Sequence, residues 1–175
     1  CQDKSMTSTT ESPDLMDELM RQSASECPDF DTSAMAVVGR IMRLGRLYEK
    51  QAAAALRPFG LPYTDFDILA TLRRSGAPFE LTPGQLGSAV LLTSGAMTAA
   101  LDRLTAAGLI TRHARPEDRR VKSAKLTAAG KRLAKKAASA RFDIAAQSLG
   151  ALRASDRKQL AALLKRLTAA AQPET

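Results

Sequence analysis

LTPGQLGSAVLLTSGAMTAALDRLTAAG, residues 81–108, holds two helix starts eleven residues apart. Thr82, Pro83 and Gln85 supply an N-cap, a proline at the first helical position and a capping-box partner, while Leu81 and Leu86 stand at hydrophobic-staple spacing. The helix they open is short and is predicted to end near Leu91. Thr93 caps again, and Leu92 with Met97 repeats the staple, so the second helix begins two or three residues after the first ends. Its spacing turns Met97, Ala100, Leu101 and Leu104 inward and leaves Gly95, Thr98, Ala99, Asp102 and Arg103 outward, until Gly108 stops it. Two helices abutting in this way make a helix-turn-helix.

The residues downstream change character. Leu109 to Ala114 and Val121 to Leu126 flank a turn containing Pro116, Glu117 and Asp118, which predicts a β-hairpin. Residues 113–127 carry five Lys or Arg against two acids. Thr127 then caps a long Ala-rich helix running towards Gly150, and Leu160, Leu163, Leu164 and Leu167 mark a last amphipathic helix after Ser155.

Upstream, Thr64 is predicted to cap a helix with Phe66, Ile68, Leu69 and Leu72 inside, ending around Ser75 and Gly76. From Ser33, apolar residues recur at Ala34, Val37, Val38, Ile41, Leu44 and Tyr48 along one helical face, until Arg57 and Pro58 interrupt it. Ser12 and Pro13 open a short helix bearing Leu15, Met16, Leu19 and Met20; residues 1–11 read as disordered, and the five residues before Met6 as an addition to the native start. The expected fold is mainly α with a small β-hairpin, a winged helix-turn-helix lobe plus a helical dimerisation lobe. Residues 1–32 would form an acidic arm, 33–60 a dimerisation helix, 61–127 the winged lobe and 128–175 the C-terminal dimerisation helices.

Composition agrees with that architecture. Aromatics are 4% of the 175 residues and Trp is absent, which disfavours an all-β protein. The net charge of +8 is unevenly placed: residues 1–31 hold eight acids against two bases, whereas residues 93–136 hold eleven bases against three acids. A focused basic segment predicts an anionic partner. No apolar run approaches the roughly 20 residues needed to span a bilayer, so a cytoplasmic protein without membrane contact is expected. Two cysteines and a lone His113 are too few for a disulfide framework or a structural metal, and no cofactor is expected. With no Gly-rich phosphate loop and no catalytic triad, the inventory argues against an enzyme.

Double-stranded DNA is the polyanion these parts fit. A recognition helix enters the major groove by its N-terminal end, so Ser94, Gly95 and Ala99 would permit close approach, Thr98 would meet a base edge or a thymine methyl, and Arg103 a guanine or a phosphate. Arg115, Arg119, Arg120 and Lys122 on the hairpin would seek the negative potential of the minor groove. The bland alternatives are a solvated charged turn for the hairpin and a surface charge paired with its own helix for Arg103. The Ala/Leu stripes of the terminal helices exceed what a lone lobe could bury and favour a homodimer.

The stretch LTSGAMTAALDRLTAAGLITRHARPEDRRVKSAKLTAAG, residues 92–130, resembles the multiple antibiotic resistance regulator (MarR) family of bacterial transcription factors. Asp118, Arg120, Leu126 and Thr127 match its wing signature, and the resemblance extends over residues 34–170. It implies a homodimer built by the first and the last two helices, two winged lobes on a palindromic operator, and Asp118 orienting Arg120 towards the minor groove. FDILATLRRSGAPFELTP, residues 66–83, is similar to the urate-responsive branch, which implies a ligand site between lobes with Asp67 and Arg112 among its residues. The chain departs from that branch in lacking Trp and in carrying Ala100 where an Arg is expected, so a small organic anion or phenolic effector replaces urate as the expectation. An Asp67–Arg112 salt bridge without any ligand is the structural alternative. Two further readings stand beside the repressor: a thiol-based peroxide sensor through Cys27, set against an inert thiol in an acidic setting, and a winged-helix protein-interaction module.

Overall fold

The helix boundaries follow from local capping. In the computed structural model, which describes residues 12–90, 92–114 and 122–171, the order is α1 (Leu15–Glu26), α2 (Ser33–Leu56), α3 (Tyr63–Arg74), β1 (Glu80–Leu81), α4 (Pro83–Ala89), α5 (Ser94–Ala106), β2 (Ile110–Ala114), β3 (Lys122–Leu126), α6 (Ala128–Ser148) and α7 (Ala154–Ala171). Thr82 accepts from the Gln85 amide at 3.2 Å while the Gln85 side chain accepts from the Thr82 amide at 2.9 Å, a reciprocal box that satisfies two otherwise unpaired donors. Thr93 and Thr127 cap α5 and α6 through Ala96 and Gly130.

Two expected starts shift. α1 is capped by Asp14, in a box with Asp17, not by Ser12. α3 begins at Tyr63 after Pro62, and Thr64, expected as its cap, lies inside the first turn and donates its hydroxyl to Asp65 instead. Pro62 fixes its own φ near the helical value and lacks an N–H to satisfy, so the chain turns into the helix without a side-chain cap.

The chain divides at Lys50/Gln51 into two compact units. In the first, α1 lies on α2: Met16 is buried against Gly39, where any Cβ would collide with the methionine tip, and the Arg40 guanidinium bridges Asp14 at 2.9 Å and Asp17 at 2.6 Å. Met35, Val37, Val38, Ile41, Met42, Leu44 and Leu47 nevertheless remain exposed along α2.

The second unit holds the core. Leu56, Ile68, Leu69, Leu72, Leu86, Leu101, Leu104 and Ile110 are almost fully buried together, and α3 packs against α6. The four residues predicted to face inward from α5, namely Met97, Ala100, Leu101 and Leu104, all do so. Strands pair antiparallel in the order β1-β3-β2, with His113 opposite Ser123 and Leu81 opposite Ala124. The expected hairpin thus gains a third, two-residue strand. α7 buries none of its residues. Among the described residues, no helix is long and apolar enough to cross a membrane.

Candidate nucleic-acid interface

The outward face of α5 is built as the sequence predicts. Ser94, Gly95, Thr98 and Ala99 are exposed over its first two turns, and the Thr98 hydroxyl donates to the Ser94 carbonyl at 3.1 Å, keeping its lone pairs available. No side chain on these turns is longer than threonine except Met97, which is buried, so the helix N-terminus can approach another surface closely. Its free backbone N–H groups carry the positive end of the helix dipole.

The third turn of α5 is tied on two sides. Asp102 accepts from Arg112 of β2 at 2.6 Å, and Arg103 donates through Nε and Nη2 to the two oxygens of Asp65 in α3, at 3.2 and 2.6 Å. Asp65 is only 4% exposed, whereas half of the Arg103 side chain remains open to solvent. Hydrogen bonding to Asp65 raises the already high pKa of Arg103. Sequence reasoning placed Asp102 on the outward face without a partner and missed Asp65 altogether. Asp65 and Arg103 are 38 residues apart, and no local spacing links them.

Arg112 and Asp67, expected as a pair, are held elsewhere. β-strand alternation sends Arg112 to Asp102, while Asp67 lies 3.9 Å from Arg74 on its own helix. Burial raises the Asp67 carboxyl above its ordinary range, and Arg74 opposes that shift. Asp67 instead lines a cavity of about 510 Å³ with Tyr63, Phe66, Arg73, Arg74, Arg141 and Phe142. Arg141 sits over the Tyr63 ring at 5.8 Å, and Arg73 donates to the Lys131 carbonyl at 3.2 Å. This mixture of aromatic walls and guanidinium groups escaped the sequence reading because α3 and α6 are distant along the chain.

The sheet fixes the root of the hairpin. Ser123, fully buried, donates its hydroxyl to Glu80, and Lys125 lies 3.5 Å from the same carboxylate. The Ser123 bond and then the lysine hold Glu80 below the usual glutamate range. Thr127 donates its hydroxyl to the Gly108 carbonyl at 2.8 Å and its amide to Leu109 at 3.1 Å, closing the hairpin where α6 leaves it. Arg115, Asp118, Arg119 and Arg120 lie outside the described residues; Lys122 begins β3 opposite Ala114. Cys27 is exposed at the C-cap of α1.

Comparison with known proteins places this arrangement among regulators. Residues 59–121 match the family model described as MarR family. The chain is 35% identical over 113 residues to the HTH-type transcriptional regulator PecS of Dickeya dadantii, covering 65% of this chain and 68% of that one. It is 31% identical over 127 residues to an HTH-type transcriptional repressor of Mycobacterium tuberculosis, covering 73% of this chain and 89% of the repressor. A MarR family transcriptional regulator of Streptomyces coelicolor, solved in complex with DNA, superposes with a TM-score of 0.74 at 22% identity, covering 83% of this chain and 91% of that one; this likeness is one of fold.

Proposed function

The chain belongs to the MarR family of transcriptional regulators, and on that premise we propose that it is a homodimeric, sequence-specific DNA-binding repressor released from a palindromic operator by a small organic anion. The observation that carries this reading is the Thr93-capped start of α5, with its exposed face of small side chains, followed in the chain by residues 113–127, which hold five Lys or Arg against two acids. Ser94, Gly95, Thr98 and Ala99 would enter the major groove, Arg103 would meet its edge, and Arg115, Arg119, Arg120 and Lys122 would follow the adjacent minor groove with Asp118 bracing Arg120.

The apolar side chains left exposed along α2 and, separately, along α7 support a second copy as partner, because rows of exposed apolar side chains of this kind mark interaction surfaces. The cavity lined by Asp67 supports an aromatic or phenolic carboxylate as effector: Arg73, Arg74 and Arg141 offer charge to an anion and the rings offer apolar walls. Arg112 would join by exchanging Asp102 for the ligand. Such a ligand releases DNA only by favouring a lobe spacing that mismatches consecutive grooves.

Selection of a random duplex pool on the purified chain tests the reading. The expected product is an inverted repeat with half-sites about 10 base pairs apart, centre to centre. Recovery of unrelated or asymmetric sequences would overturn it. In a melting screen, phenolic acids and polycarboxylates should raise the transition temperature; a flat response across the panel removes the effector from the reading.

A further inference from the structure

Arg103 is the tenth residue of the 13-residue α5, so its Cα lies roughly 13 Å along the helix axis from that of Ser94. A helix that enters a major groove about 12 Å wide by its N-terminus carries its third turn to the rim, where the phosphates lie. The side chain at that rim is not free to sample. Asp65 engages Nε and Nη2 side-on, which leaves the end-on edge of the guanidinium, formed by Nη1 and the second Nη2 hydrogen, without a partner among the described residues. That edge belongs to a half-exposed side chain, while the carboxylate behind it is buried and anchored in α3.

We propose that Asp65 is a positioning residue for DNA recognition: it braces Arg103 so that the open edge of the guanidinium receives one backbone phosphate and thereby sets the register of α5 on the duplex. The proposal rests on the DNA-binding reading and deepens it. Phosphate contacts carry no sequence information themselves, but they fix the orientation in which a recognition helix meets the bases. An arginine held at one edge forfeits little freedom when the other edge binds. A non-specific complex does not require that register. Loss of the brace should therefore be felt on an operator and not on unrelated DNA, where removing a negative charge from the interface helps binding.

Anisotropy titrations of the full chain across a salt series, against the selected inverted repeat and a scrambled duplex of equal length, test this. Asp65→Asn should weaken binding to the inverted repeat about tenfold, the scale of one charge-assisted hydrogen-bond pair, and leave the scrambled duplex unchanged or bound more tightly. Arg103→Ala should flatten the log–log salt dependence by about one phosphate, and Arg103→Lys should restore the slope without restoring operator affinity. If Asp65→Asn does not fold, the lysine variant alone carries the test, since it keeps the charge and loses the fork. Equal weakening on both duplexes in step with a lower melting temperature, or an unchanged slope in Arg103→Ala, would make the pair a structural strap and overturn the proposal. A wild-type chain that binds neither duplex would overturn the underlying DNA-binding reading as well.

Discussion

Helices α3 and α7 carry similar apolar spacing and meet different fates within one unit. Ile68, Leu69 and Leu72 of α3 are completely buried, whereas Leu160, Leu163, Leu164 and Leu167 of α7 stay 39–49% exposed. The contrast separates what one chain can finish from what it cannot. α3 is enclosed by α4, α5, α6 and β3, all supplied by the same winged unit. The leucines of α7 form a stripe of their own, and at about 25 cal/mol per Å² of apolar surface withdrawn from water the incentive to cover it is large. A similar stripe runs along the exposed part of α2.

Substitutions can break or sharpen that contrast. The largest effect on folding is expected from Ile68→Ala, about 2–5 kcal/mol in a denaturant titration, because it empties a site with no solvent access. Gly130→Ala comes next. A Cβ there would strike the Leu109 carbonyl and press on Leu126, and a loss of about 1–3 kcal/mol should appear as a lower midpoint at unchanged slope. Thr93→Ala removes the α5 cap and should cost about 1 kcal/mol. Leu163→Glu should change the folding of the single chain by no more than about 0.5 kcal/mol, yet shift a dimer to monomer in sedimentation velocity; a chain that sediments identically before and after would erase the contrast between α3 and α7.

The smallest effect concerns pH. Asp67 has its folded pKa raised by burial, so its contribution to stability is fully present below the unfolded value near 3.8 and is lost as pH rises through the folded one. At neutral pH its charge opposes folding. Asp67→Asn should therefore melt slightly higher than wild type at pH 7, with the gain disappearing on acidification below that value. A gain that persists in acid would mean the carboxyl is not desolvated.

Much of this architecture was legible because helix ends are local. Thr82 with Gln85, Thr93 and Thr127 each announce a helix within four residues, and the 3.6-residue period assigned all four buried positions of α5. β1 was hidden because two residues are too few to show alternation, and its pairing with β3 is decided by Glu80 meeting Ser123 and Lys125 across the fold. The start of α3 lies two residues earlier than expected because Thr64 looks like a cap, whereas Pro62 already sets the backbone. At the interface, the small outward face of α5 was visible in the sequence. Its electrostatic moorings were not, since Asp65–Arg103 and Asp102–Arg112 join residues from different elements and any of several arginines could have filled either role.

The hairpin is fastened at its root, by Thr127 to Gly108 and Leu109 and by the buried Ser123–Glu80 bond, with Gly130 leaving room for the Leu109 carbonyl. Both strands therefore leave a base tied to β1 on one side and to the start of α6 on the other, so a displacement of α6 would carry the foot of the hairpin with it.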